Sequence, residues 1–244
     1  MIPLSHLLVA YVVLVQPWLG YRLFNKLKAN LALGIAGAKL RFYQRIVIHQ
    51  IAATAMVFII WRLGSIPGKD LGLCLPTSWQ ILLPFLIGFV LAMTGVTLLL
   101  RKQGGNKLKK SLKVLGVLLP FSSAERSWFA AVSVGAGISE ELVFRGFLFY
   151  YLTINIPALG IWQKIALASF LFGMCHIYQG WKGVMGTTIL GAAFACLYAG
   201  SRSLLLPMIV HALFDLRLLL IFTPKRLQEL QAEDADPERQ SATL

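Results

Sequence analysis

The sequence predicts an all-α protein, a polytopic bundle of about seven transmembrane helices. Of its 244 residues, 57% are hydrophobic and only 14% are charged, and the mean hydropathy is +0.72. Soluble globular domains are less apolar and carry more charge. Several apolar stretches approach the roughly 20 residues that a helix needs to cross about 30 Å of hydrocarbon. Because backbone groups in lipid must be satisfied internally, these stretches are predicted to be helical.

The apolar stretches alternate with polar or basic links, and this alternation divides the chain. N-terminal transmembrane helices with basic cytoplasmic loops are expected over 1–124, a helix bundle that carries the candidate site over 125–223, and a polar, acidic cytoplasmic tail over 224–244. The predicted spans are 4–20, 46–61, 79–100, 127–152, 161–180, 183–200 and 203–222.

The formal charge of +13 comes from Lys and Arg residues that collect between the spans. The links after the first and third spans are rich in them, so the positive-inside rule predicts that these links and the tail are cytoplasmic and that the N-terminus is outside. The basic residues form no stripe on a folded domain, so we expect the lipid bilayer and not nucleic acid as the partner. Residues 104–113 are expected to form a basic interfacial helix or a solvated loop.

Three carboxylates fall inside the predicted spans, where each charge costs about 2.5–3.5 kcal/mol on insertion scales. Glu141 and Arg145 are four residues apart and are expected to pair on one helix face. Glu140 points about 100° away around the same helix and has no such local partner. Ion pairing explains Glu141, but it does not explain Glu140.

Two further pairs at a spacing of four residues occur in later spans. Phe172 precedes His176, and His211 precedes Asp215. Convergence of the three spans would bring together a free carboxylate, an imidazole and a second His–Asp pair. Such groups can activate a water molecule and stabilise the charge that develops when this water attacks a carbonyl carbon.

At these residues the sequence resembles the CPBP family, the CAAX-processing and bacteriocin-processing intramembrane peptidases, which include the eukaryotic prenyl-protein endopeptidase of the endoplasmic reticulum. The family motifs EExxxR, FxxxH and HxxxN/D are matched in order over roughly 125–220. They fall on Glu140–Glu141 with Arg145, on Phe172 with His176, and on His211 with Asp215.

The resemblance implies that Glu140 and His176 activate the hydrolytic water, while His211 and Asp215 bind the oxyanion or orient the substrate. Glu141 and Arg145 would support these groups, and Phe172 would shape the pocket. The prenyl-protein enzymes have Asn at the position of Asp215, so Asp215 must be protonated or must instead orient His211. This departure favours the bacterial branches of the family, and hence a bacterial inner membrane.

Catalysis without a metal ion or other cofactor is expected. Zinc is the alternative, since two histidines and carboxylates can ligate it, but no HExxH motif occurs and a Glu140 ligand would leave no evident general base. The predicted activity is therefore hydrolysis of a peptide bond in a membrane-associated protein or peptide. A proton-coupled transporter and a non-catalytic membrane scaffold are the competing hypotheses, because intramembrane ionisable residues also serve transport.

Overall fold

The computed structural model describes residues 3–77, 79–102 and 116–225. Most of these residues are helical and none of them forms a β-strand, as the all-α prediction requires. The segment 104–113 and nearly all of the predicted tail lie outside the described residues. Seven long helices follow one another: α1 Pro3–Ala32, α2 Ala38–Leu63, α3 Trp79–Lys102, α4 123–155, α5 Ile161–Met174, α6 Gly180–Ser201 and α7 Leu205–Ile221.

The number of helices agrees with the seven predicted spans, but several helices extend beyond the predicted bounds and α5 ends before the predicted end of the fifth span. By length and composition, α1, α2 and the segment Ile177–Ser201 are suited to cross a membrane, and Leu86–Leu99 and α5 are shorter apolar helices. Lys and Arg sustain helical structure as well as apolar residues do, so α1 continues past its apolar part to Ala32. Hydropathy detects only the part of a helix that lipid surrounds.

The start of α4 is set by a capping box. The Ser122 side chain accepts a hydrogen bond from the Glu125 amide at 3.2 Å, and the Glu125 carboxylate accepts from the Ser122 amide at 3.3 Å. This reciprocal pair satisfies two of the amides that a helix leaves free at its first turn. The helix therefore begins at Ser123, four residues before the predicted span.

Two helices contain a π-helical turn. In α1 it covers Tyr11–Val15, just before Pro17, which lacks the amide hydrogen that a regular helix would use. In α4 it covers Leu142–Phe147, directly after the two adjacent glutamates, and all six of its residues are buried. Such turns are frequent at functional sites.

The core joins the N-terminal helices to α4 and α5. Val57 and Ile60 of α2 pack in one apolar cluster with Phe144, Phe147 and residues of α1 and α5. A short loop before α3 closes this core on the side where α6 meets α7. In this loop Leu71 is fully buried and the Gly72 carbonyl accepts a hydrogen bond from the Leu204 amide at 2.9 Å.

Candidate active site

A cavity of about 520 Å³ lies among α1, α2, α4, α6 and α7. Its wall on α4 runs from Phe129 to Glu140, and its wall on α7 runs from His211 to Leu218. Most of the lining is apolar, whereas carboxyl and imidazole groups gather where these two walls meet. All four residues predicted to be catalytic line this one cavity: Glu140, His176, His211 and Asp215.

Close contact between α4 and α7 sets the geometry of this end. A Cβ atom on Gly137 would lie 2.7 Å from the Met208 carbonyl oxygen and 3.0 Å from the Ala212 Cβ atom. Only glycine allows so short a separation, because real Cβ atoms do not approach other heavy atoms so closely. The contact lies one helical turn before Glu141, and it brings His211 against that turn.

Glu141 is fully buried between the Arg145 guanidinium and the His211 imidazole. Its Oε1 atom accepts a hydrogen bond from Arg145 Nη1 at 3.0 Å, as the spacing of four residues predicts. The same atom lies 2.7 Å from His211 Nδ1. A carboxylate that already accepts from a guanidinium can only accept again, so Nδ1 of His211 carries the hydrogen. The sequence spacing did not reveal this second partner, because it lies 70 residues away.

The other ring nitrogen of His211 faces the cavity. Its Nε2 atom lies 3.9 Å from Glu140 Oε2 and 3.8 Å from Asp215 Oδ2. Both distances exceed a direct hydrogen bond and leave room for a bridging group. Glu140 keeps 23% of its side chain exposed and makes no hydrogen bond with another described residue, which agrees with its lack of a local partner in the sequence.

His176 lies just beyond the end of α5, where the predicted fifth span is interrupted. The helix ends at Met174, Cys175 caps it, and a short 3₁₀ turn follows over Ile177–Gln179. The His176 Nδ1 atom donates a hydrogen bond to the Phe172 carbonyl at 2.9 Å. A carbonyl can only accept, so Nδ1 carries a hydrogen and Nε2 is the ring nitrogen that this bond leaves free.

Aromatic rings hold the charged groups in place. The ring of Phe194 stacks on His211 with centroids 4.8 Å apart, and the Phe172 ring lies edge-on to His211 at 6.1 Å. The Arg145 guanidinium lies 4.6 Å from the centroid of the Phe172 ring and donates a hydrogen bond to the Gly191 carbonyl at 2.8 Å. Phe172 thus contacts Arg145 as well as both histidines, and it lines the cavity.

Sequence reasoning missed the contribution of the other helices to this cavity. His49 and Gln50 of α2 line it, although His49 had no predicted role and Gln50 was not singled out. Tyr178 and Gln179, near the end of the predicted fifth span, also line it. The spacing of these four residues in the sequence does not indicate that they line the cavity, because their contacts depend on how α1, α2 and α6 surround α4.

Histidine and carboxylate side chains at the cavity are of the types that ligate zinc. Among the described residues, no group of three or more His, Cys, Asp or Glu side chains has the disposition of a metal site. The Nδ1 atom of His211 is hydrogen-bonded with Glu141, and that of His176 is hydrogen-bonded with the Phe172 carbonyl.

Fold and site together define an integral membrane protein with ionisable groups at a cavity inside a helical bundle. Residues 122–217 match the model of the family described as Type II CAAX prenyl endopeptidase Rce1-like. This segment contains every predicted site residue, and through it the chain is similar to the CAAX-protease-like peptidases. No curated protein and no solved structure matches the chain in the corresponding comparisons.

Proposed function

We propose that this protein is an intramembrane endopeptidase of the glutamate type, which hydrolyses a peptide bond in a membrane-associated protein or peptide. The observation that carries the proposal is the shared cavity of Glu140, His176, His211 and Asp215. A partly buried imidazole and an accessible carboxylate on one side, and a His–Asp pair on the other, match the two tasks of amide hydrolysis. These tasks are to activate water and to stabilise an oxyanion.

Glu140 acts as the general base and His176 as its partner. The unprotonated Nε2 atom of His176 and the Glu140 carboxylate hold the water, whose oxygen adds to the scissile carbonyl carbon while its proton passes to Glu140. Glu140 then delivers this proton to the amide nitrogen as the C–N bond breaks. The products are a carboxylic acid and an amine, so atoms and charges balance without a further reactant.

His211 and Asp215 stabilise the oxyanion. A doubly protonated His211 donates its Nε2 hydrogen toward the cavity, while Glu141 accepts the hydrogen on Nδ1. The Glu141 carboxylate, which lies 2.7 Å from Nδ1, stabilises the positive charge of this ring. Asp215 contributes a second donor when it is protonated, in the place where the prenyl-protein enzymes have an amide.

In the proposed reaction Glu140 serves as the general base, and no metal ion takes part. Metal analysis of the purified protein should find less than stoichiometric zinc, and chelators should leave activity unchanged. A chelator-sensitive activity that zinc alone restores would overturn this part of the proposal.

The protein is proposed to lie in a bacterial inner membrane with its N-terminus outside and its C-terminus in the cytoplasm. The cavity is lined by the C-terminal half of α1, the N-terminal half of α2 and the first part of α4. These ends of the helices lie next to the basic links, so the positive-inside rule predicts that the cavity faces the cytoplasm. Substrate segments would then enter from the cytoplasmic half of the bilayer.

Mapping of new peptide termini in membranes tests the proposed activity. Cells that express the wild-type protein are compared with cells that express Glu140→Gln, and Glu125→Gln is the matched control. Glu125 lies on the same helix, but outside the cavity, and a glutamine can maintain its capping box. Termini that depend on Glu140 but not on Glu125 support the proposal, whereas identical termini in all three strains would overturn it.

A further inference from the structure

A second, much smaller cavity lies among α1, α2 and α4, and Glu140 lines it as well as the main cavity. Its volume is about 30 Å³. Three of its lining residues besides Glu140 also line the main cavity, so they form a shared polar wall: Gln16, His49 and Gln50. Tyr11 and Ser139 add further hydroxyl groups to the small cavity.

The polar groups of this wall are fixed in orientation. The Tyr11 hydroxyl is hydrogen-bonded to His49 Nε2. Gln50 donates from Nε2 to the Val132 carbonyl at 3.0 Å, and because a carbonyl can only accept, this bond fixes which amide atom is the oxygen. Gln50 is only 6% exposed, and its Oε1 atom packs against Gly135, where a Cβ atom would lie 2.3 Å from it.

The size and chemistry of the small cavity select its ligand. A water molecule needs at least about 10–15 Å³ and two to four polar partners, whereas empty cavities in proteins are apolar. Six of the residues that line this space of about 30 Å³ have polar side chains, and Glu140 is one of them. We propose that the small cavity binds a water molecule beside Glu140, and that α1 and α2 thereby supply the hydrolytic site.

This inference rests on the proposed function, to which it adds a source of the nucleophile. An apolar peptide segment that fills the main cavity displaces bulk water from a lining that is itself mostly apolar. Hydrolysis then needs a water molecule that the substrate does not displace. The small cavity holds it next to Glu140, and its walls on α1 and α2 lie outside the segment that matches the family.

Radiolytic labelling in lipid nanodiscs tests the water site without reference to activity. Hydroxyl radicals that form from bound water oxidise the side chains beside it. Phe144 and Phe147 lie three residues apart on α4 and each is 1% exposed, but only Phe144 lines the small cavity. Phe144 should be oxidised several times faster than Phe147. Equal rates would overturn the proposal.

Filling the cavity provides a second arm of the same experiment. Ala53 of α2 lines the small cavity, so Ala53→Leu should bring the oxidation rate of Phe144 down to that of Phe147. If the rate in a folded Ala53→Leu protein stays high, the labelled water lies elsewhere and the proposal is wrong. The comparison within the wild-type protein decides the question if this variant does not fold.

A matched pair of tyrosine variants links the site to catalysis. Tyr11 bonds His49 beside the small cavity, and Tyr151 bonds His6 at 2.7 Å away from it. With a peptide identified by terminus mapping, Tyr11→Phe should lower kcat several-fold at unchanged KM, and Tyr151→Phe should change neither. Equal effects would indicate a merely structural role and contradict the inference. If no peptide is cleaved, the proposed function fails, while the Phe144 rate still decides whether water binds.

Discussion

The Nδ1 atom of His211 lies 2.7 Å from Oε1 of Glu141, an oxygen that also accepts a hydrogen bond from Arg145. Glu141 therefore connects a structural cation to a ring that faces the cavity. Its neighbour Glu140 makes no such bond and keeps 23% of its side chain exposed. Adjacent glutamates on one helix thus have separate tasks, since one fixes the site and the other is available for chemistry.

This contrast predicts opposite effects at two adjacent positions. Glu141→Leu should destabilise the protein by about 3–5 kcal/mol, because it leaves the buried Arg145 charge without its partner. Glu140→Leu should leave stability nearly unchanged and abolish hydrolysis. Unfolding in detergent, followed by far-UV circular dichroism, measures the first quantity. Equal losses of stability in the two variants would contradict the division of roles.

Asp215 provides a test of the oxyanion assignment. Asp215→Asn introduces an amide donor at the same place and should retain activity within about tenfold of the wild type. Asp215→Leu removes the donor and should lower kcat by about 10²–10³, the usual loss for one oxyanion donor. Single-turnover rates with a mapped substrate peptide measure both. If the rate of Asp215→Leu equals that of Asp215→Asn, Asp215 takes no part in the chemistry.

Gly191 is predicted to be intolerant of a side chain. A Cβ atom there would lie 2.9 Å from Phe172 Cδ1 and 3.2 Å from Arg145 Nη2. Gly191→Ala should therefore displace the guanidinium and cost about 1–3 kcal/mol of stability, as overpacking does. Gly200→Ala on the same helix is the control, because its Cβ would meet no heavy atom within 4 Å. A thermal-shift series that ranks the two variants equally would refute the packing argument.

Gly72 is predicted to be essential to the loop before α3. Its φ of +71° lies in the left-handed region, and a Cβ atom would lie 2.5 Å from Cε2 of Tyr198. Gly72→Ala should lower the free energy of unfolding by more than 1 kcal/mol, through backbone strain and overpacking together. Gly68→Ala is the control, since its nearest contacts are ordinary at 3.7 Å. Comparable unfolding midpoints for the two variants would count against this assignment.

The sequence alone predicted the helices and the motif residues more completely than their connections. Span number follows from hydropathy, and the Glu141–Arg145 pair follows from helical geometry, so both could be predicted. The bond from Glu141 to His211 could not, because it depends on the close approach of α4 and α7 at Gly137. The roles of His49 and Gln50 were missed for a similar reason, since the family motifs lie in other helices.

The fifth span shows the limit of hydropathy in a different way. The apolar run over 161–180 predicts one continuous helix. The neighbours of His176, Cys175 and Ile177, are not helix-breaking residues, so the sequence gives no sign of an interruption there. In the structure α5 ends at Met174, and His176 bonds the Phe172 carbonyl that the helix end leaves available. An apolar sequence is compatible with either arrangement, so only tertiary contacts decide between them.

The early end of α5 has a consequence for the surrounding lipid. Its 14 residues span about 21 Å at 1.5 Å per residue, well short of a hydrocarbon layer of about 30 Å. The bilayer beside α5 must therefore thin, or headgroups and water must reach down to the turn that carries His176. Either adjustment brings the aqueous boundary close to the imidazole, so bilayer thickness becomes a variable that sets how readily a polar peptide reaches the site.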